Sequence, residues 1–235
     1  MKLTLVISGI QVYCDHCHIA RRGHPNGLFF AQNGTIIPLS TTDNPNRMDI
    51  HYKTLSREGV SLIVDETLAF LDAHKGCEDA FNTLLTGLGQ DTGVAPASGT
   101  IRGVLERFRA SGQIIPVPGS GGHGGGNLGA GSAGVGLGWD NYRSNSRYGN
   151  VTLGDQFFAM FLHEVTHVAE GPGASGSYTD EAFYNVFAKQ GIYSMTPGEY
   201  KQKYPNDKYS QNIYSSFAGF ATDYYCTGFK PTIIK

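Results

Sequence analysis

Apolar residues between positions 56 and 112 recur at intervals of three and four, which is the period of an amphipathic helix. Two groups on either side of Cys77 predict two helices, and these groups are Val60, Ile63, Val64, Leu68 and Leu71, then Phe81, Leu84 and Leu85. A third group predicts a third helix that ends near Gly112, and it consists of Ile101, Leu105 and Phe108.

The residues before position 56 have a different pattern, in which short β-forming runs alternate with turn-forming residues. The run Leu3–Ile7 predicts a first strand. Two further runs, 28–32 and 35–37, are separated by Asn-Gly, the dipeptide that favours a two-residue hairpin turn. Because Pro38 has no amide hydrogen, we expect the second of these strands to end there or to lie at a sheet edge.

Residues 116–138 are rich in glycine, which loses much backbone entropy on ordering. We expect a flexible loop, or an edge segment of small residues that lies against another element. The alternation at residues 135–139 predicts a strand at its end. The predicted organisation is a β-rich N-terminal segment, residues 1–55, and a larger domain, residues 56–235, that contains the glycine-rich loop.

The second half of the chain has stronger helical signals. A short strand at residues 151–153 is expected to precede a long helix that ends near Glu170, before the Gly-Pro-Gly sequence at 171–173. A second helix is predicted over residues 177–190, with Gly191 as its C-terminal cap. The last forty residues are rich in tyrosine and predict two more short helices.

The long helix contains the sequence His-Glu-Val-Thr-His at residues 163–167. Residues four apart lie one turn above each other, so His163 and His167 can direct two nitrogens at one Zn²⁺ ion. Glu164 is rotated away and is then free to take the proton of a zinc-bound water. Both histidines lie opposite the predicted apolar stripe, which consists of Phe158, Phe161, Leu162, Val165 and Ala169.

A catalytic zinc ion takes three protein ligands, so one more is expected. No histidine follows His167 in the chain, which indicates a carboxylate. Ser177 and Asp180 have the spacing of a capping box, in which the acidic side chain turns back onto the helix start. This favours Glu181 as the ligand over Asp180. Glu170 is a third option, better suited to orient a ligating imidazole.

The motif at 163–167 is followed by a short glycine-rich turn and by a helix that begins Thr-Asp-Glu-Ala-Phe-Tyr at 179–184. This combination resembles the zincin-like metallopeptidases, in the gluzincin branch, over about residues 150–190. The resemblance implies an α+β fold, in which a β-rich N-terminal part accompanies a helical catalytic part built around the motif helix.

The resemblance also implies roles for particular residues. Glu164 would be the general base, and Glu181 would complete a zinc site with His163 and His167. The implied function is a zinc-dependent hydrolase, in particular a metalloendopeptidase that cleaves peptide bonds by attack of zinc-bound water. The alternative is a non-catalytic binding or interaction protein in which zinc only braces two helices.

The aspzincin branch of the same class is similar in one spacing, since it has Thr two residues before its acidic ligand and Tyr three residues after it. Thr179 and Tyr184 have this spacing around Glu181. An aspzincin would have Asp as the ligand, and glycines where this chain has Tyr178 and Asn185. The resemblance to aspzincins is therefore partial.

Two further features of a peptidase are expected. Tyr184 or Tyr178 is a candidate donor to the developing oxyanion, although tyrosines near a helix start are more often simply packed. A peptide substrate is expected to pair with an edge strand, for which residues 135–139 or 151–153 are the candidates.

Composition limits the other classes of function. The chain has 18 basic and 20 acidic residues without a Lys/Arg run, so nucleic acid is not an expected partner. Peptides or proteins are the expected substrates. The sequence pattern does not predict an oligomeric state. Leu3–Ile7 is too short to span a membrane, and no small-residue cleavage site follows it. We therefore expect a cytoplasmic protein or one exported without a signal peptide.

The four cysteines are too few for a disulfide scaffold and show no framework spacing. Cys14 and Cys17 have the spacing of half a zinc ribbon or of a redox pair. Because a second such pair is missing, a complete four-cysteine zinc site is not expected.

Overall fold

The computed structural model describes residues 3–7, 10–14, 28–30, 36–38, 55–117, 122–138, 153–174 and 176–235. Across these residues the fold is α+β, with helices packed around a small three-stranded sheet. No helix in these ranges is both long and apolar enough to cross a membrane.

Four short strands precede the helices. Strands β1 (Leu3–Ile7) and β2 (Ile10–Cys14) pair antiparallel, as do β3 (Leu28–Phe30) and β4 (Ile36–Pro38). The predicted first strand and the predicted hairpin pairing are confirmed, and β4 ends at its proline as expected. The Asn-Gly turn between β3 and β4 lies outside the described residues.

The three helices predicted from the apolar period are present as α1 (Arg57–Ala73), α2 (Lys75–Thr92) and α3 (Ile101–Ser111). The hydroxyls of Ser56 and Thr100 cap α1 and α3 by accepting a hydrogen bond from the third amide beyond each cap. The predicted apolar positions of all three helices are buried in one core, except Leu68, which is partly buried against it.

The glycine-rich stretch forms much of the sheet rather than a plain loop. Strand β5 (Gln113–Val117) pairs parallel with β7 (Gly134–Gly138), and β6 (Gly122–Gly125) pairs antiparallel with the other side of β7. The strand expected at the end of the stretch is confirmed as β7, but it is the central strand. The two edge positions belong to β5 and β6.

The second half of the chain forms α4 (Leu153–His167), α5 (Asp180–Lys189), α6 (Pro197–Lys203) and α7 (Ile213–Thr227). The strand predicted at 151–153 is wrong at Leu153, which is the first residue of α4; the two residues before it lie outside the described ranges. Helix α4 ends three residues earlier than expected, and α5 begins three residues later. The two C-terminal helices predicted from the sequence are α6 and α7.

Helix α4 is buried on nearly every side. Its apolar residues pack into the core, and His163, Glu164 and His167 are also only 6–8% exposed. The sequence predicts that the histidines point away from the apolar stripe of the helix. The structure shows that they are nevertheless buried, because other elements lie over them. Elements α5, α7 and β6 cover the histidine side.

A disulfide joins Cys77 of α2 to Cys226 of α7, across 149 residues of sequence, and both residues are buried. A bridge that closes a loop of this length is expected to stabilise the fold by about 5 kcal/mol in the chain-entropy description. The cysteine spacing did not predict it, because the pairing depends on how distant helices pack. Cys17 lies outside the described residues, so the interpretation of the Cys14 pair stays a prediction.

Candidate metal centre

Three potential metal-binding atoms converge between α4 and α5. Nε2 of His163 lies 3.1 Å from Nε2 of His167. Oδ1 of Asp180 lies 3.2 Å from the first nitrogen and 3.5 Å from the second. Two imidazole nitrogens and one carboxylate oxygen are a donor set that zinc accepts, with a fourth position left for other ligands.

The structure brings Asp180, rather than Glu181, to the histidines. The N-cap of α5 is Thr179, whose hydroxyl accepts a hydrogen bond from the amide of Ala182. The hydroxyl of Ser177 instead donates to a main-chain carbonyl of the glycine-rich stretch, so the capping box predicted for Asp180 is absent. Asp180 is thereby the first residue of the helix, and Glu181 is exposed. The reason for preferring Glu181 as ligand is therefore wrong.

The charges of this cluster favour a cation. Burial would raise the pKa of Asp180, but hydrogen bonds with His163 and His167 outweigh it and hold that pKa well below its usual value. Burial would lower the pKa of His167, but the hydrogen bond with Asp180 and the charge of Glu164 outweigh it and raise that pKa. The site thus has an ionised carboxylate at its centre.

The Nδ1 atom of each imidazole has a hydrogen-bond partner that fixes the orientation of the ring. Nδ1 of His167 donates to the carbonyl oxygen of Tyr178 at 2.6 Å, and Nδ1 of His163 lies 3.3 Å from Oγ1 of Thr222 on α7. The ring of Phe183 stacks on His167 with ring centres 4.4 Å apart. Because each Nδ1 has a partner, both Nε2 atoms are directed towards Asp180, as metal-bound histidines require.

Glu164 lies beside the ligand atoms with an unused hydrogen-bonding group. Its side chain is buried, and its Oε2 has no hydrogen-bond partner within the described residues. Burial raises the pKa of Glu164 above its usual value, against the opposing effect of His163 and His167. A carboxylate in this environment is suited to exchange protons.

Strand β6 covers the motif with backbone alone. A Cβ added to Gly122 would lie 2.5 Å from Cγ of Glu164. A Cβ on Gly124 would lie 2.6 Å from the carbonyl oxygen of Glu164 and 2.7 Å from Cβ of His167. Gly125 on the same strand has nothing within 4 Å of its added Cβ. The glycines at 122 and 124 therefore let the edge strand lie directly on the motif.

The two tyrosines predicted as oxyanion donors are engaged elsewhere. The hydroxyl of Tyr178 donates to the carbonyl oxygen of Val94 at 2.7 Å. The ring of Tyr184 belongs to an aromatic cluster with Tyr193, Tyr214 and Phe217. The structure brings neither hydroxyl to the three ligand atoms.

Glu170, the third candidate ligand, is also separate from the cluster. Its side chain is buried, it accepts a hydrogen bond from the amide of Gly176, and burial raises its pKa. It does not orient either imidazole, since Tyr178 and Thr222 have that position. Thr222 was missed by the sequence-based prediction because no pattern connects a position 59 residues away with His163.

No protein-family model matches the chain, and neither a curated protein nor a solved structure matches it. The chemistry of the His163, His167 and Asp180 cluster is therefore the basis for assigning a function.

Proposed function

We propose that this protein is a zinc-dependent hydrolase and that its substrates are peptides or proteins. The observation that carries the proposal is the convergence of His163, His167 and Asp180 beside a buried Glu164, one oxygen of which has no hydrogen-bond partner in the described part of the chain. Zn²⁺ held by these three residues would activate water and polarise a scissile carbonyl. A purely structural zinc site would need no such carboxylate and normally fills four positions with Cys or His.

Glu164 has the proton-transfer role in this proposal. Its unpartnered Oε2 would accept a proton from the attacking water, and the same carboxyl would then donate that proton to the leaving nitrogen. The raised pKa of Glu164 supports this exchange, because a group accepts and releases a proton most efficiently when its pKa is shifted towards the operating pH.

The ligand set bears on which branch of the zincin-like metallopeptidases the chain resembles. Two histidines with Asp180 are the aspzincin set, whereas the gluzincin set would need Glu181. Around Asp180, however, Thr179 comes one residue before and Tyr184 four residues after, which is one residue off the aspzincin spacing. We propose the zincin-like class with Asp180 as third ligand and assign no branch.

The sheet suggests how a peptide would bind. Strand β7 is paired on both sides, so the earlier expectation of substrate pairing at residues 135–139 does not suit its position. Strand β6 is at the sheet edge and lies on the motif helix. An extended peptide added to β6 would therefore run past Glu164, and this supports a peptide substrate.

The test compares the native chain with Glu164→Gln, using Glu181→Gln as an exposed neighbouring control. We expect about one zinc per chain in all three. Hydrolysis of casein and of a peptide library should fall by about 10²- to 10⁴-fold in Glu164→Gln alone. Zinc binding without hydrolysis by any chain across a broad panel would favour the non-catalytic, zinc-braced alternative. Absence of bound zinc would remove the metal centre itself.

A further inference from the structure

The two imidazoles of the cluster are supported by chemically different groups. His167 has a main-chain carbonyl eleven residues away as its partner, that of Tyr178. His163 has the side-chain hydroxyl of Thr222, on a helix 59 residues away, and Thr222 is only 3% exposed. The support of His163 therefore depends on one particular side chain.

The direction of the hydrogen bond at His163 decides whether this residue can bind a metal ion. A carbonyl can only accept, so Nδ1 of His167 carries the proton and its Nε2 keeps a lone pair. A threonine hydroxyl can donate or accept. If Thr222 accepts from Nδ1 of His163, the lone pair of Nε2 faces Asp180; if Thr222 donates, Nε2 carries the proton and cannot bind.

Thr222 also differs from the other threonines within the described helices. Six of them donate their hydroxyl to the carbonyl four residues earlier, namely Thr67, Thr83, Thr86, Thr92, Thr166 and Thr227. That local bond is common for threonine in a helix. The hydrogen-bond partner of the Thr222 hydroxyl is instead the imidazole of His163. Its hydroxyl is thus directed at the metal centre rather than at its own helix.

Helix α7 fixes the position of this hydroxyl. It packs against α4 and α5, and Ala218 and Ala221, in the turn that leads to Thr222, are fully buried. One turn further on, Cys226 is bonded to Cys77 of α2. Close packing and a covalent bridge leave the hydroxyl little freedom to move away from the imidazole.

We propose that Thr222 is a positioning residue for the metal ligand His163. Its hydroxyl oxygen accepts a hydrogen bond from the Nδ1–H of His163, so that Nε2 is directed at the ion. The inference rests on the proposed metal centre and adds the outer partner that sets the tautomer of one ligand. Outer partners of metal-bound histidines typically contribute about 10- to 100-fold to metal affinity. Loss of this hydroxyl should therefore weaken zinc binding without unfolding the chain.

The test uses three variants of nearly constant shape. Thr222→Val removes the hydroxyl, and Thr222→Ser keeps it. Thr227→Val is the matched control, because Thr227 is on the same helix and donates to the carbonyl oxygen of Asp223. Competition with a chromophoric chelator gives each zinc dissociation constant, and thermal unfolding of the metal-free chains monitors folding. We expect Thr222→Val to bind zinc about tenfold or more weakly, and the other two within about threefold of the native chain.

The outcomes separate this inference from the proposed function. Equal affinity in Thr222→Val and the native chain would overturn it, as would equal weakening in Thr222→Val and Thr222→Ser. A long-range ¹⁵N–¹H NMR spectrum of the zinc-loaded native chain needs no variant: a His163 proton on Nδ1 supports the inference, and one on Nε2 overturns it. A native chain that binds no zinc would overturn both the inference and the metal centre, and a proton on Nε2 would remove His163 from that centre, whereas the two affinity outcomes leave the metal centre intact.

Discussion

The motif helix α4 is covered on one side by β6 and on another by α5 and α7. The two sides differ in whether backbone or side chains make the contact. Strand β6 contacts the helix with the backbone of Gly122 and Gly124, which leave no room for a side chain. Helices α5 and α7 contribute particular side chains, among them Asp180, Phe183 and Thr222. One cover therefore depends on the absence of atoms, and the other depends on specific functional groups.

The difference shows how the polar face of α4, which contains His163, Glu164 and His167, is enclosed. The α5 and α7 side supplies the proposed third ligand, Asp180, and a support for each imidazole ring, so it defines the proposed metal centre. The β6 side keeps bulk away from Glu164 and leaves a sheet edge beside it. Substitutions on the two sides should therefore fail in different ways.

The largest effect is expected from removing the bridge that holds α7. Replacing Cys77 and Cys226 with serine should lower the free energy of unfolding by about 2–5 kcal/mol, measured by chemical denaturation. Zinc affinity should fall as well, because Thr222 is one turn from the bridge.

A double-mutant cycle tests the route of that second effect. In the Thr222→Val background, removal of the bridge should change zinc affinity much less than in the native background. Fully additive losses of affinity would show that the bridge and the hydroxyl act independently, and would separate α7 from the metal centre.

The next effect concerns the third ligand on α5. Asp180→Asn should weaken zinc binding strongly, because it removes an ionised oxygen that would bind the metal directly. The loss should exceed the value of about 10- to 100-fold that is expected for an outer partner. Glu181→Gln is the adjacent control and should leave affinity nearly unchanged, since Glu181 is exposed. The reverse ranking, measured by the same chelator competition, would restore the ligand choice made from the sequence.

The smallest effect is expected on the β6 side. Gly124→Ala should lower the free energy of unfolding by about 1–3 kcal/mol, because its Cβ meets the main chain of α4, which cannot move aside locally. Gly125→Ala is the matched control on the same strand and should stay within about 0.5 kcal/mol of the native chain. Equal stability of the two variants would show that β6 does not depend on missing side chains.

The parts of the site that could be predicted are those whose residues lie close together in sequence. The i, i+4 spacing of His163 and His167 on an apolar-striped helix predicted that their side chains converge beside Glu164, and the structure confirms the convergence of the two Nε2 atoms. The choice of the third ligand failed because it depended on the helix start. With Thr179 instead of Ser177 as the N-cap, the third helical residue is Ala182, so no carboxylate turns back onto the helix start and Asp180 lies against the histidines.

The parts that could not be predicted arise from packing between distant segments. The apolar period located α1, α2 and α3, but it contains no information on what covers a polar face. The contact between Thr222 and His163 and the bond between Cys77 and Cys226 both depend on where α7 lies in space. The glycine stretch was expected to be a flexible loop or an edge segment of small residues against another element. Strand β6 confirms the second expectation, but the sequence did not identify α4 as the element that it contacts.

If the chain has the proposed peptidase activity, the Cys77–Cys226 bridge has a consequence for cleavage of the chain itself. Any single cut between these two residues, a span that includes the motif helix and most of the domain, leaves two fragments that are still covalently joined. A nicked molecule would therefore run as one band on a denaturing gel until reductant separates it into two. The bridge would let the protein survive a first self-inflicted cut without losing either part of its metal centre.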